Sequence, residues 1–241
     1  MKSFLKSAVL YGDYLLHRSR ASKVIYYHDV DTKYTDMGTP VETFKKHIDV
    51  IKESGFSIEE DITEPNNQIM ICFDDGWAGL YEYKELFISQ KIFPTIFLAV
   101  DLIGKNGYMN LMQVLELQAL GFNFECHTWS HCYLPLLDEK QLKHELLDSK
   151  KELEQLLHKD IEAICFPRGM FSDRIIDFAI EAGYKKLYSS ISGSYYKLLK
   201  TKKVICRNLV QYLSPKNLKF TILSESPIMT NRSIKLHYKR N

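Results

Sequence analysis

Along most of the chain, short apolar runs alternate with stretches in which apolar residues recur every three or four positions. "KVIYYHDV" (23–30) is β-branched and aromatic, the composition of a buried strand. "TFKKHIDVIKESG" (43–55) instead sets Phe44, Ile48 and Ile51 on one helical face, with Gly55 placed to stop the helix. The alternation continues with strand "QIMICFDD" (68–75), a helix around 78–90, strand "PTIFLAV" (94–100), a helix at about 110–120 and "FNFECHT" (122–128). A long amphipathic helix follows over 138–159, one face marked by Leu142, Leu146, Leu153 and Leu157. "IEAICFP" (161–167), a helix over 173–182, "KKLYSS" and "KVICRNLV" complete the pattern. Strands regularly separated by helices call for right-handed crossovers and a parallel sheet, open or closed into a barrel.

The first twenty residues break this rhythm. Lys6 and Asp13 interrupt their apolar stretch, and no small-residue cleavage site follows a clean apolar core. That pattern predicts a short amphipathic helix, with a signal peptide or anchor as the alternative reading. No segment approaches the ~20 apolar residues needed to span a bilayer.

Composition narrows the picture further. The chain has 241 residues, 45% hydrophobic and 26% charged, enough apolar material for one α/β domain with a sizeable core. A net charge of +2, with both signs interleaved, gives no ground for a nucleic-acid partner. The five cysteines (72, 126, 132, 165 and 206) are odd in number and show no CxxC spacing. Three of them lie inside strand-like runs, where cysteine packs as a small hydrophobe, so the expected compartment is a reducing cytoplasm, with peripheral attachment to a membrane as a variant of it.

Chemistry concentrates at predicted strand ends. His28, the pair Asp74–Asp75, His127 and Pro167–Arg168 all follow strands, at the ends where parallel α/β folds collect ligands. Two adjacent carboxylates at the end of a buried strand repel one another and need a compensating charge. In "HTWSH" the four-residue spacing of His127 and His131 lets both imidazoles reach one ion, although two loop histidines satisfied by backbone carbonyls would read the same way. With Asp75 added, two His and one Asp make a divalent-metal set that leaves positions open for water and substrate. Cys126 and Cys132 flank the pair as rival ligands; strand alternation turns Cys126 to the opposite face, and Cys132 belongs to no motif.

"FDDG", then "HTWSH", then "FPRG", in that order on strand ends, resembles the polysaccharide deacetylase family of carbohydrate esterases, the NodB-homology domain. "VIYYHDV" resembles the subgroup acting on surface or exopolysaccharides, and the likeness covers roughly residues 23–210. The resemblance implies a distorted (β/α) barrel of about seven strands and a divalent metal, usually Zn2+, used to hydrolyse acetyl groups on sugars. By the same resemblance Asp74 is the general base, and Asp75, His127 and His131 are the metal ligands. Pro167 and Arg168 would border the substrate and supply a backbone N–H to the oxyanion. The general acid is either His28, which stands where the subgroup places a functional histidine, or His237 in "KLHY"; His28 is favoured because His237 sits in a short basic tail.

Two departures from the family pattern stand out. Arg168 occupies the place of a common aromatic, without the arginine that often precedes the proline, and the usual fourth motif with Asp and Trp is missing. The implied layout is an N-terminal amphipathic segment (1–22), a catalytic domain (23–225) and a basic tail (226–241). The implied function is hydrolysis of an acetylated sugar or glycan precursor in surface polysaccharide, capsule or lipopolysaccharide synthesis. The alternatives are a catalytically silent glycan-binding or scaffolding relative, and a metal amidase acting on a non-sugar substrate.

Overall fold

The computed structural model describes residues 2–197, 204–225, 230–232, 234–235 and 237. Its frame is a ring of parallel strands: β1 (Lys23–Tyr27), β2 (Gln68–Asp75), β3 (Thr95–Leu98), β4 (Asn123–Cys126), β5 (Ala163–Cys165) and β6 (Lys186–Tyr188). The seventh strand, β7, consists of Val204–Ile205 and Arg207–Leu209 on either side of Cys206. Its first half pairs with β6, through Val204 opposite Leu187. Its second half pairs with β1, through Arg207 opposite Val24. One strand therefore spans the seam, and the sheet closes into the expected distorted barrel of seven strands.

The continuous apolar runs follow from this closure. A barrel strand is covered on both faces, by the interior on one side and by helices on the other, so it shows no polar alternation. β1 is buried at all five positions. Val24, Tyr26, Met70, Cys72, Phe97, Cys165 and Tyr188 fill the interior. Ile25, Tyr27, Ile71, Phe73, Ile96, Phe124 and Ile164 face the helical layer.

Some elements differ from the sequence expectation. The helix predicted over 78–90 is two helices, Gly79–Glu82 and Lys84–Gln90, broken at Tyr83. The helix predicted over 138–159 runs through Glu139–Lys143, a π-helical turn at His144–Asp148, and Ser149–Leu157. The strand expected over 23–30 is divided at His28 into Lys23–Tyr27 and Asp29–Asp31, and the short strands Gly38–Pro40 and Ser57–Glu59 and the helix Pro215–Ile222 lie outside the expected pattern. The first helix, Lys2–Leu16, lies against Pro215–Ile222, with the Tyr11 and Tyr14 rings 5.2 and 5.3 Å from that of Phe220. No helix among the described residues is long and apolar enough to cross a membrane. Most of the basic tail expected over 226–241 lies outside the described residues.

Candidate active site

Strand alternation sends Cys72 and Asp74 into the barrel and would send Asp75 out among the helices. The backbone prevents that. Asp75 has φ +72° and Gly76 φ +81°, two successive left-handed residues that turn the chain over the barrel mouth. Position 76 favours glycine, because its φ is one that L side chains rarely adopt and a Cβ there would also press on Leu98 Cδ2 at 2.5 Å. The turn leaves Asp75 Oδ1 3.6 Å from His127 Nε2 and 3.5 Å from His131 Nε2. Asp75 Oδ2 accepts a hydrogen bond from the Trp77 indole at 3.2 Å, while Oδ1 is buried and accepts none.

His127 follows β4 and points inward. Its Nδ1 donates to the Cys165 carbonyl at 2.6 Å, which fixes the tautomer and leaves the Nε2 lone pair facing Asp75. Burial pushes this imidazole down to about 4, against the pull of Asp74 and Asp75, so it is neutral and ready to act as a ligand at physiological pH. The two rings, with centroids 4.8 Å apart, meet through an irregular turn instead of a helical one: Thr128 has φ +71° and His131 φ +56°. Glu145 holds that turn. Its carboxylate accepts from the Trp129 and Ser130 amides at 3.0 and 2.9 Å and from Ser130 Oγ at 2.6 Å. Glu145 lies within the π-helical turn, so the widened helix and the histidine turn are one device.

Two imidazole nitrogens and one carboxylate oxygen thus lie within 4.8 Å of one another. A buried carboxylate oxygen with no donor is an unfavourable arrangement that a cation would relieve. The donor set suits a divalent ion such as Zn2+ with coordination positions left open. Cys126 takes no part: its Sγ accepts from the Thr128 amide and lies 3.3 Å from Ser149 Oγ.

Asp74 lies on the interior face with a partner that the motifs did not reveal. Arg207, on β7, donates from both terminal nitrogens to the two Asp74 oxygens at 2.7 and 2.8 Å. The guanidinium also donates to Ser189 O at 3.0 Å and stacks over Tyr26, 4.2 Å from the ring centroid. Burial alone would raise the Asp74 carboxyl; the Arg207 fork reverses this, helped by His127 and His28, and holds it down at about 2. The guanidinium also reaches the segment ahead of Pro167. Cys165, two residues before that proline, lies 2.7 Å from Arg207 Nη2. A lone cation inside the apolar run "VICRNLV" was the signal that could have found it.

His28 lies at the same end of the barrel, at the exit of β1, with Nδ1 2.6 Å from Gln211 Oε1. Gln211 is buried and anchored in turn to the Asp36 carbonyl at 3.2 Å. Pro167 is buried, whereas Arg168 is exposed, at φ +57° in the turn Pro167–Gly169, its carbonyl accepting from Ser190 Oγ at 3.1 Å. His237 is buried against Phe171, ring centroids 4.2 Å apart, and beside Gly169, so it backs the Pro167 turn.

A model of the polysaccharide deacetylase family matches residues 61–187. The peptidoglycan-N-acetylglucosamine deacetylase of Bacillus cereus is 32% identical over 127 residues, covering 50% of this chain and 56% of that protein. YxkH of Bacillus subtilis, whose name carries the same family designation, is 23% identical over 175 residues, covering 67% of this chain and 62% of its own length. The chain therefore spans about six tenths of the curated relatives it matches. The structure of the Streptococcus pyogenes deacetylase PplD with acetate superposes with a TM-score of 0.73 at 19% identity, over 84% of this chain and 98% of that one. At that identity the likeness is one of fold.

Proposed function

Since the chain belongs to the polysaccharide deacetylase family, we propose that it is a metal-dependent hydrolase removing N-acetyl groups from a surface glycan or its precursor. One observation carries the reading. Asp75 Oδ1 is buried without a donor between two imidazole nitrogens, and an ionised carboxylate, Asp74, sits in the next position along the chain.

Asp75, His127 and His131 would hold the ion. When bound there, a divalent cation would polarise the acetyl carbonyl and acidify a water, letting a carboxylate as weakly basic as Asp74 accept its proton. Arg207 keeps Asp74 ionised and aimed, its fork fixing both oxygens in the barrel mouth. His28 is the proposed donor to the leaving amine. Its contact with Gln211 assigns the proton to Nδ1 and frees Nε2 to carry the transferred one. The Gly169 and Met170 amides are bonded within their own turn, and Pro167 has none, so Arg168 N–H is the proposed oxyanion donor.

Acetate release from N-acetylglucosamine oligomers, measured beside metal content, tests the assignment. Asp74→Asn should retain the metal and lose at least about a hundredfold in turnover. Near wild-type turnover removes Asp74 as the base. Wild-type protein that binds metal yet releases no acetate from any N-acetylated glycan is a silent binding relative.

A further inference from the structure

The first helix, Lys2–Leu16, is amphipathic in an inverted sense. Its buried side includes Leu10 and also Asp13, the only acidic residue in the helix. Its outer side is apolar: Val9 is 43% exposed, Tyr11 48%, Leu15 50% and Leu16 78%. These positions, with Ala8 and Gly12, follow helical spacing and form a single stripe. Scattered apolar residues on a surface need no explanation, but a stripe along one helix does.

The borders of the stripe indicate what covers it. The Arg18 guanidinium lies 4.8 Å from the Tyr14 ring centroid at one end. Along the side, Lys216 of Pro215–Ile222 lies 5.9 Å from the centroid of Phe220, the ring packed against Tyr11 and Tyr14. Lys219 is also exposed, and Pro215–Ile222 contains no acidic residue. Leucines outermost, tyrosines at their edge and cations beyond them match the polarity gradient of an anionic bilayer surface. We propose that this face lies in the interface of an anionic membrane, with the helix parallel to the surface.

Flotation of the full chain with vesicles of phosphatidylcholine and about one third phosphatidylglycerol tests this. The wild type should float with anionic vesicles, and less with phosphatidylcholine alone. Leu15→Glu/Leu16→Glu changes two exposed positions and should lower partition about a hundredfold, a factor of ten for each leucine withdrawn from the interface. Lys216→Glu/Lys219→Glu should lower binding to anionic vesicles while leaving that to neutral ones unchanged. Unchanged circular dichroism and melting of both variants would show that they fold. The proposal fails if the wild type stays in solution, or if the leucine variant floats equally well. It also fails if the wild type is a dimer that the leucine substitutions dissociate, since a second copy would then cover the face.

Discussion

Replacing Arg207 with methionine removes the guanidinium while keeping a long apolar side chain in its place. Arg207 is 1% exposed and Asp74 3%, so the pair sits in the barrel interior without solvent to screen it. In the native protein the Asp74 carboxyl is held at about 2, below its ordinary 3.8. A depressed carboxylate contributes stability that is present above its unfolded pKa and lost as pH falls through its folded one. The shift is worth ~2 kcal/mol at pH 7. In Arg207→Met burial, which pushes the same carboxyl upward, is opposed only by the smaller pull of His127 and His28, so an ionised Asp74 now opposes folding. Removing one partner of a buried pair is expected to cost about 3–5 kcal/mol at pH 7.

Urea unfolding with a chelator present, so that bound metal adds nothing, gives both stabilities. The gap between the wild type and Arg207→Met should narrow by about 2 kcal/mol or more between pH 7 and pH 4, as Asp74 takes up a proton in the variant alone. Adding Asp74→Asn to Arg207→Met should recover about 2 kcal/mol at pH 7. A gap that ignores pH, or a double variant no more stable than Arg207→Met, would refute the reasoning.

Three further outcomes are expected. His131→Ala should lower the metal-to-protein ratio after dialysis, and an unchanged ratio removes His131 from the ligand set. Glu145→Gln should weaken zinc binding about 10–100-fold by loosening the turn that presents His131, which a competition titration with a chromophoric chelator would read. Wild-type affinity in that variant would sever the link between the π-helical turn and the site. His47 is buried between Tyr27 Oη and the Leu213 carbonyl, and burial lowers its pKa to about 4. A neutral imidazole of this kind supports the fold above its unfolded pKa and loses ~3 kcal/mol as pH falls from 6.5 toward 4. His47→Gln should flatten that part of the stability profile, and an unaltered slope contradicts the assignment.

The strands were legible because closure buries both faces of each one, so "KVIYY" and "QIMICF" could hardly be anything else. Whether the sheet closed was not legible. That depended on β7 changing partners at Cys206, a matter of backbone direction that leaves no mark in residue type. At the site, residue types and order suggested Asp75 and the two histidines, but their convergence rests on left-handed residues at 75, 128 and 131, where no glycine gave warning. Glu145 was hidden for a related reason. As a charged residue at the border of an amphipathic repeat it reads as solvated, whereas the structure buries it within the π-helical turn. The helix Pro215–Ile222 had a signal that went unread: Ser214 caps it and proline occupies its first turn.

The closing role of β7 has a consequence for the order in which the molecule becomes competent. Asp75, His127 and His131 all precede β5 in the chain, so a growing polypeptide has every proposed ligand before its barrel can close. Arg207 arrives only with the strand that joins β6 to β1. Until then the sheet has two raw edges and Asp74 lacks its guanidinium partner. Capture of the proposed metal could therefore run ahead of closure, whereas the carboxylate beside it gains its guanidinium partner in the same event that seals the ring.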